Sequence, residues 1–423
     1  MNNRAPMARS QSHPSSIPGL PRSQKGVPRH ILVITYWAYP DALVQTYTLP
    51  YVRQMLRALP SGSHVHLVTL EKPGTPAVKV TDAGVVHHPF PYRSFGMGGA
   101  GMLLGLAWRL SAMVRRHRID TVHAWCTPAG MIGHIVSVLT GRPLVIDSFE
   151  PHAEAMVENG TWKRGGTAHR LLFLFERLQT RRAKVLIAAT DGMRDYAAVK
   201  YGPTSARWFT KPACVDTGRF SEHEIKRPEK LRSLGLENRV VGLYAGKLGG
   251  IYLEQEVFDL FRAAQDHWGD PFRVLLLTPH PMAELEPLMA KAGMDRSIFT
   301  VMSVPHQEVP TLMGLADFAV TPVKPVPTKR YCTPVKDGEY WALGLPVIIT
   351  DGISDDSGII REHRIGSVLE SLDRKGYEKA VREVAALLDG SSRRELYERI
   401  RPIALRYRGF DRAERIYQAI YGT

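Results

Sequence analysis

Acidic residues are in short supply. The 423-residue chain sets 41 Asp and Glu against 55 Lys and Arg, a formal charge of +14, and such a surplus favours polyanionic partners: nucleic acid, anionic membrane or phosphorylated substrates. No recognised nucleic-acid module accompanies it, so no specific nucleic acid is expected. Cysteine is scarce as well. Cys126, Cys214 and Cys332 are far apart and odd in number, which argues against a disulfide framework or a Cys-based zinc site and points to a reducing cytoplasm. Long apolar runs are missing: Met102 to Trp108 is stopped by Arg109, and Met131 to Leu139 is broken by His134. A spanning helix is therefore not expected. There is no Asp-x-Asp motif and no His or Cys metal-ligand spacing, so metal-independent chemistry is the expectation.

What is present alternates. Residues 1–29 form a basic tail with Arg4, Arg9, Arg22, Lys25 and Arg29, no acidic residue and no apolar core, which reads as disordered and not as a secretory signal. From His30, β-branched runs (Ile31-Thr35, His64-Leu70, Gly84-Pro89, Asp120-Trp125, Pro143-Asp147, Val185-Ala189) alternate with segments of helical period around Leu49-Leu59, Met102-Arg118, Ala129-Thr140, His169-Arg182 and Asp191-Tyr201. The pattern then restarts at Arg239-Ala245 and continues through Phe272-Thr278, Ile298-Met302, Asp317-Thr321 and Pro346-Thr350. This predicts an α/β protein of two doubly wound, Rossmann-like domains facing across a cleft, over 30–210 and 211–400. In the tail, Phe410, Ala413, Ile416, Tyr417, Ile420 and Tyr421 share one helical stripe over 401–423.

The most informative stretch runs from Tyr331 to Thr350. Thr333 suits an N-cap, Pro334 the first helical position, Gly344 the C′ residue, and Pro346 stops the helix before Val347-Ile-Ile-Thr350. The amides and dipole at the start of such a helix favour a phosphate, Lys336 adds a charge, and Glu339 lies about 4.5 Å further along the axis on the same face. Diphosphate at the helix end and ribose hydroxyls at the carboxylate would fit this order. A solvated i,i+3 ion pair worth a few tenths of a kcal/mol also would.

The stretch resembles the donor-site signature of retaining GT-B glycosyltransferases of family 4, in which an acidic residue precedes a helix ending in Gly-x-Pro-Val. Glu339 matches the second glutamate of the family's Glu-x7-Glu motif, while Tyr331 stands at the first. Lys211-Pro-Ala-Cys-Val-Asp-Thr-Gly-Arg-Phe220 resembles the family's interdomain phrase, and Gly246-Lys247-Leu248 its Gly-Arg-Leu phrase. There the diphosphate is gripped by an Arg, here Lys247, and by a later Lys whose position is Tyr252; Lys336 or the Lys324, Lys329, Arg330 cluster are candidate substitutes. The resemblance spans roughly 30–423 and implies a terminal helix crossing back to the first domain.

Further constellations are less specific. Gly246, Gly249 and Gly250 let backbone approach a phosphate closely, but a plain βα turn has glycines too. Asp147-Ser-Phe-Glu-Pro-His-Ala-Glu154 follows a strand at the sheet edge where open α/β folds bind ligands, which makes Glu150, His152 and Glu154 candidates for sugar or acceptor; a loop histidine is as often structural. His123 and His134 read as packing residues. Tyr36 to Thr46 forms an aromatic loop that could stack a sugar or pad the cleft. Gly96-Met-Gly-Gly-Ala-Gly101 satisfies a dinucleotide fingerprint, with Asp120 downstream, but sits outside the first βα unit and reads as a flexible loop. Asp355-Asp356 reads as N-terminal capping. Arg109, Arg115, Arg116, Arg118, Arg170, Arg177, Arg181 and Arg182 flank amphipathic helices that could lie on anionic lipid or pack in the core with solvated outer faces.

The resemblance implies a cytoplasmic enzyme, peripheral on the inner face of the plasma membrane, that moves a sugar from a UDP- or GDP-linked donor to a glycan or lipid-linked acceptor, with no cofactor and no metal. Lys247 and Lys336 would stabilise the leaving diphosphate, Glu339 would hold ribose, Tyr331 would meet donor sugar or phosphate, and His152 and Glu150 would orient donor sugar or acceptor. A sugar-nucleotide epimerase of the same fold, or an inactive sugar-nucleotide-binding subunit, are the alternatives.

Overall fold

The computed structural model describes residues 26–41, 43–75, 80, 82–92 and 97–422; most of the basic tail and Gly96 lie outside them. Seven parallel strands build the first sheet: β1 His30–Ile34, β2 His64–Glu71, β3 Val85–Pro91, β4 Thr121–Trp125, β5 Leu144–Phe149, β6 Val185–Ala188 and β7 Arg207–Thr210. Their order is β3-β2-β1-β4-β5-β6-β7. Six parallel strands build the second: β8 Val240–Ala245, β9 Phe272–Leu277, β10 Phe299–Met302, β11 Phe318–Thr321, β12 Val347–Thr350 and β13 Gly366–Leu369, in the order β10-β9-β8-β11-β12-β13. In both sheets the order reverses beside the first strand, between β1 and β4 and between β8 and β11, which opens a crevice at the strands' C-terminal ends.

Helices cover both faces of each sheet, so the central strands read as apolar runs without alternation. Ile31 to Ile34, all of β4 and all of β12 are buried. Short edge strands β7 and β13, and the helices Arg374–Asp389 and Arg393–Arg408, add to the elements expected from sequence. The helix expected from Met102 begins at Met97. This corrects the flexible-loop reading for residues 97 to 101, which form the first turn of the helix; Gly96 lies outside the described residues.

The chain returns as expected. Helix Arg393–Arg408 packs on helix Val335–Ala342, Gly409 breaks it in an extended conformation, and helix Phe410–Tyr421 lies against Leu49–Ala58 of the first domain. Ala413, Ile416, Tyr417 and Tyr421 are its buried face. An interior ion pair pins that helix. Asp147 of β5 meets Lys211 Nζ at 3.0 Å, His123 Nε2 at 3.4 Å and the Tyr417 hydroxyl at 2.7 Å. Burial alone would raise the Asp147 pKa, but Lys211, His123 and Tyr417 hold it at about 2. The Lys211 ammonium also sits 3.5 Å from the Tyr51 ring centroid and 4.7 Å from that of Trp125. Five separate segments of chain, carrying Tyr51, His123 with Trp125, Asp147, Lys211 and Tyr417, thus meet at one desolvated charge pair, a packing role for His123 as its sequence suggested.

Candidate functional site

Helix Val335–Ala342 follows β11 at the switch point of the second sheet. Its C-terminus is a Schellman cap: Gly344 is left-handed at φ +70°, its N–H donates to Trp341 O, and Leu345 N–H donates to Tyr340 O. A Cβ on Gly344 would fall 2.4 Å from Tyr397 Cα, so the residue is also a packing requirement. The N-terminus corrects the sequence reading by one residue. Pro334 occupies the cap position without a side-chain bond, and Thr333 Oγ1 instead donates to Ala189 O of the first domain at 3.0 Å.

The inner face of this helix is buried. Asp337, Tyr340 and Trp341 point inward, and the Tyr340 hydroxyl accepts the Ala245 N–H at 3.2 Å, tying the helix to the end of β8. Asp337 accepts from Thr321 Oγ1 and shares its site with Asp356, which pairs with Arg408. Burial and repulsion between the two carboxyls push the Asp337 pKa well up. Asp356 is therefore an interior ion-pair partner and not a cap, and Asp355 makes no side-chain capping bond either.

Lys336 and Glu339 occupy the other, half-buried face. They do not close an ion pair with one another. The Lys336 stem crosses Gly246, where a Cβ would lie 2.6 Å from Lys336 Cε, and its ammonium reaches the Tyr252 hydroxyl at 3.4 Å. Gly246 (φ +144°) thereby has a steric reason as well as a conformational one. Lys336 is brought to the place where the Gly-Arg-Leu resemblance left Tyr252 in the position of a lysine. Lys247 is exposed, while its carbonyl accepts from the Tyr244 hydroxyl. Gly249 and Gly250 are left-handed and complete the loop. Burial pushes the Glu339 carboxyl up to about 7, partly opposed by Lys336 and Arg219.

Sequence reasoning missed His280. Its Nε2 accepts the Leu248 N–H at 3.0 Å, and its Nδ1 lies 2.7 Å from Glu284 Oε2, so the imidazole buttresses the glycine loop from the next βα connection. The two partners assign the tautomer, with the proton on Nδ1. The His-x3-Glu spacing across the start of helix Met282–Lys291 was the available signal.

Across the crevice, Glu150 and His152 lie at the start of helix His152–Glu158, where the sequence predicts a loop. His152 Nδ1 is 3.8 Å from Glu150 Oε1. Burial works to raise the Glu150 pKa, but His152, the Cys332 thiol and the Lys329 ammonium together bring it below the usual value. Cys332 and Lys329 belong to the second domain, three and six residues before Val335, so this pair faces the start of the signature helix. Further along, Glu158 Oε2 accepts both the N–H and the hydroxyl of Thr328, latching the domains. The helix start is held from below by Glu176, which accepts the Ala153 N–H at 2.8 Å and the Tyr201 hydroxyl at 2.9 Å; burial pushes its pKa up to about 8. Glu154 sits 3.8 Å from Lys200 and 4.0 Å from Arg164 instead of with the other candidates.

Tyr331 is half-buried against the first domain, its ring 4.8 Å from that of Tyr196. It lines two interdomain crevices of about 810 and 490 Å³. Neither is lined by Lys336, Glu339 or the glycine loop. The larger lies toward the hinge at Thr210, Pro212 and Arg408, on the β12 side, whereas the charged groups gather at the ends of β8 and β11. Among the described residues no group of three or more His, Cys, Asp or Glu is placed to hold a metal ion, and no helix is long and apolar enough to cross a membrane. The site can thus present two ammonium groups and a glycine loop to an anion, a carboxyl titrating near neutrality to hydroxyls, and a carboxylate–imidazole pair to a polar group opposite.

Residues 48–213 match the family described as Glycosyl transferase 4-like domain. No curated protein matches the sequence. Among solved structures, the chain is similar to Anabaena HepE in complex with UDP (14% identity, 92% of this chain and 99% of that one, TM-score 0.68). It is similar also to sucrose-phosphate synthase from Thermosynechococcus elongatus (14% identity, 93% and 99%, TM-score 0.69). WaaG, a glycosyltransferase involved in lipopolysaccharide biosynthesis, matches at 18% identity over 93% and 100%, with a TM-score of 0.69. The family match spans most of the first domain, and the architecture shared with these structures over both domains is the GT-B fold.

Proposed function

We propose that this GT-B-fold protein is a glycosyltransferase that moves a sugar from a nucleotide-linked donor, UDP- or GDP-borne, to a glycan or lipid-linked acceptor, with retention at the anomeric carbon and in the service of polysaccharide or glycolipid synthesis. The domains would divide the work, residues 30–210 on the acceptor side and 211–400 on the donor side. The observation that carries the reading is the convergence of Lys336, Gly246 and Tyr252 beside Glu339 at the ends of β8 and β11. An ammonium held over a glycine turn suits a diphosphate, and it neutralises the charge that develops as the sugar leaves. Lys247, exposed on the same loop, adds a second cation.

In this reading Glu339 accepts the ribose hydroxyls. Glu150 and His152 orient donor sugar or acceptor from the facing domain, and Tyr331, packed on Tyr196 where the domains meet, borders the sugar in place of a carboxylate. The similar HepE structures with UDP, UDP-glucose and glucose support a sugar nucleotide as the ligand class. The protein would work as a peripheral protein on the inner face of the plasma membrane, where lipid-linked acceptors are presented. Titration calorimetry with UDP- and GDP-sugars tests the assignment: one donor class should bind, and Glu339→Ala should abolish that binding. Unchanged affinity in the variant would reject it.

A further inference from the structure

Three helices lie side by side on one face of the first sheet: Met97–Arg116, Cys126–Thr140 and Thr167–Arg182. Their inner stripes behave as the sequence suggests, with Leu106, Ala107, Leu110, Val114 and Leu172 buried. Their outer surface is not an ordinary solvated one. Leu104 and Trp108, one turn apart, are 65% and 70% exposed, and Val138 and Leu139 are 55% and 44% exposed. Single exposed apolar side chains need no explanation, but a Leu-Trp pair on one turn of a helix whose packed neighbour exposes a second apolar pair does.

The charge around this patch has one sign. The first two helices contain no acidic residue, and the acidic residue of the third, Glu176, is fully buried. Arginines therefore supply all the charge on the outer surface of the layer. Arg115 and Arg182 are anchored to the same helix end, donating to Leu139 O at 3.1 Å and Ser137 O at 3.0 Å, which sets guanidinium groups beside the exposed Val138 and Leu139. Arg116 and Arg177 are exposed, and the layer offers them no exposed carboxylate partner. An apolar ridge ending in an indole and flanked by arginines with no competing carboxylate matches an anionic lipid surface: the indole suits the headgroup boundary, and each Arg near the surface adds to the attraction.

We infer that this three-helix face, with Leu104 and Trp108 as its inserted edge, docks the protein on an anionic bilayer. The inference rests on the reading above, since it supplies the surface on which a lipid-linked acceptor would be met. The test is sedimentation of the full chain with vesicles of phosphatidylglycerol and phosphatidylcholine against vesicles of phosphatidylcholine alone. Binding should require the anionic lipid and weaken with salt. The double variant Leu104→Ser, Trp108→Ser should lower partitioning by about tenfold or more. In Arg116→Gln, Arg177→Gln the loss should be about fivefold per arginine. Both variants lie on the solvent side and should keep the wild-type melting temperature and sugar-nucleotide affinity. Equal binding to both vesicle types, no binding at low salt, or wild-type partitioning by both variants would each overturn the inference. Vesicle binding by a chain that takes no sugar nucleotide would leave the docking face standing and remove the proposed reaction, and the converse would do the reverse.

Discussion

Glu339 offers the sharpest test because its protonation is coupled to its proposed task. Burial lifts its pKa from 4.5 to about 7 in the ligand-free fold, against the opposing pull of Lys336 and Arg219. A carboxylate accepts two hydroxyl hydrogen bonds, whereas the protonated acid offers a donor in one of those directions. With a pKa near 7, about a tenth of the molecules carry the carboxylate at pH 6 and about nine-tenths at pH 8. Sugar-nucleotide affinity should therefore fall about tenfold between pH 8 and pH 6, measured by calorimetry. The donor's esterified diphosphate does not titrate in that range, so the slope belongs to the protein. Glu339→Gln should bind more weakly at pH 8 and show little slope. The ligand-free fold gives an independent check of sign. Between 4.5 and 7 the folded state holds a proton that the unfolded chain has released, so this residue's contribution to stability falls as pH rises through that window. Glu339→Gln should accordingly melt higher than wild type at pH 8 and no higher at pH 4. An affinity slope in the variant equal to that of the wild type would refute the assignment.

Three other outcomes follow from the geometry. Lys336→Met removes one charge-assisted contact, worth about 1.5–3 kcal/mol, and should weaken donor binding by roughly 10- to 150-fold in calorimetry, while Tyr252→Phe should leave it nearly unchanged. Arg408→Met strands Asp356 in the interior and should cost about 3–5 kcal/mol in urea unfolding, with Asp356→Asn in the same chain recovering a large part. His66, held at about 4 first by burial and then by His88 and His117, stays neutral in the fold while the unfolded chain protonates near 6.5; stability measured by urea titration should fall as pH drops from 6.5 toward 4, and His66→Gln should flatten that decline.

The residues that were legible in the chain are those whose roles are local. Gly344, Pro346 and the β-branched run after them announce a helix end and a buried strand within a few positions, and the structure builds that cap and that strand. The alternation of strands and helices likewise carried both sheets, except for the edge strands β7 and β13. Roles set by remote partners were not legible. Asp355-Asp356 has the local grammar of a cap, but Arg408, 52 residues away, draws Asp356 inward. Helix His152–Glu158 begins at a proline with no side-chain cap of its own, and the missing acceptor comes from Glu176, 23 residues downstream. The substitution at Tyr252 follows the same logic. Read in line, Tyr252 removes a cation from the loop; in space, Lys336 arrives from 84 residues further on, along a path that stays open because Gly246 has no Cβ. A motif position can thus lose its charged residue while the site keeps the charge, provided that a glycine leaves room for another chain segment to deliver it. Gly246→Ala should for that reason weaken donor binding much as Lys336→Met does, although it removes no charge: its Cβ would displace the Lys336 stem, and φ +144° would strain the backbone.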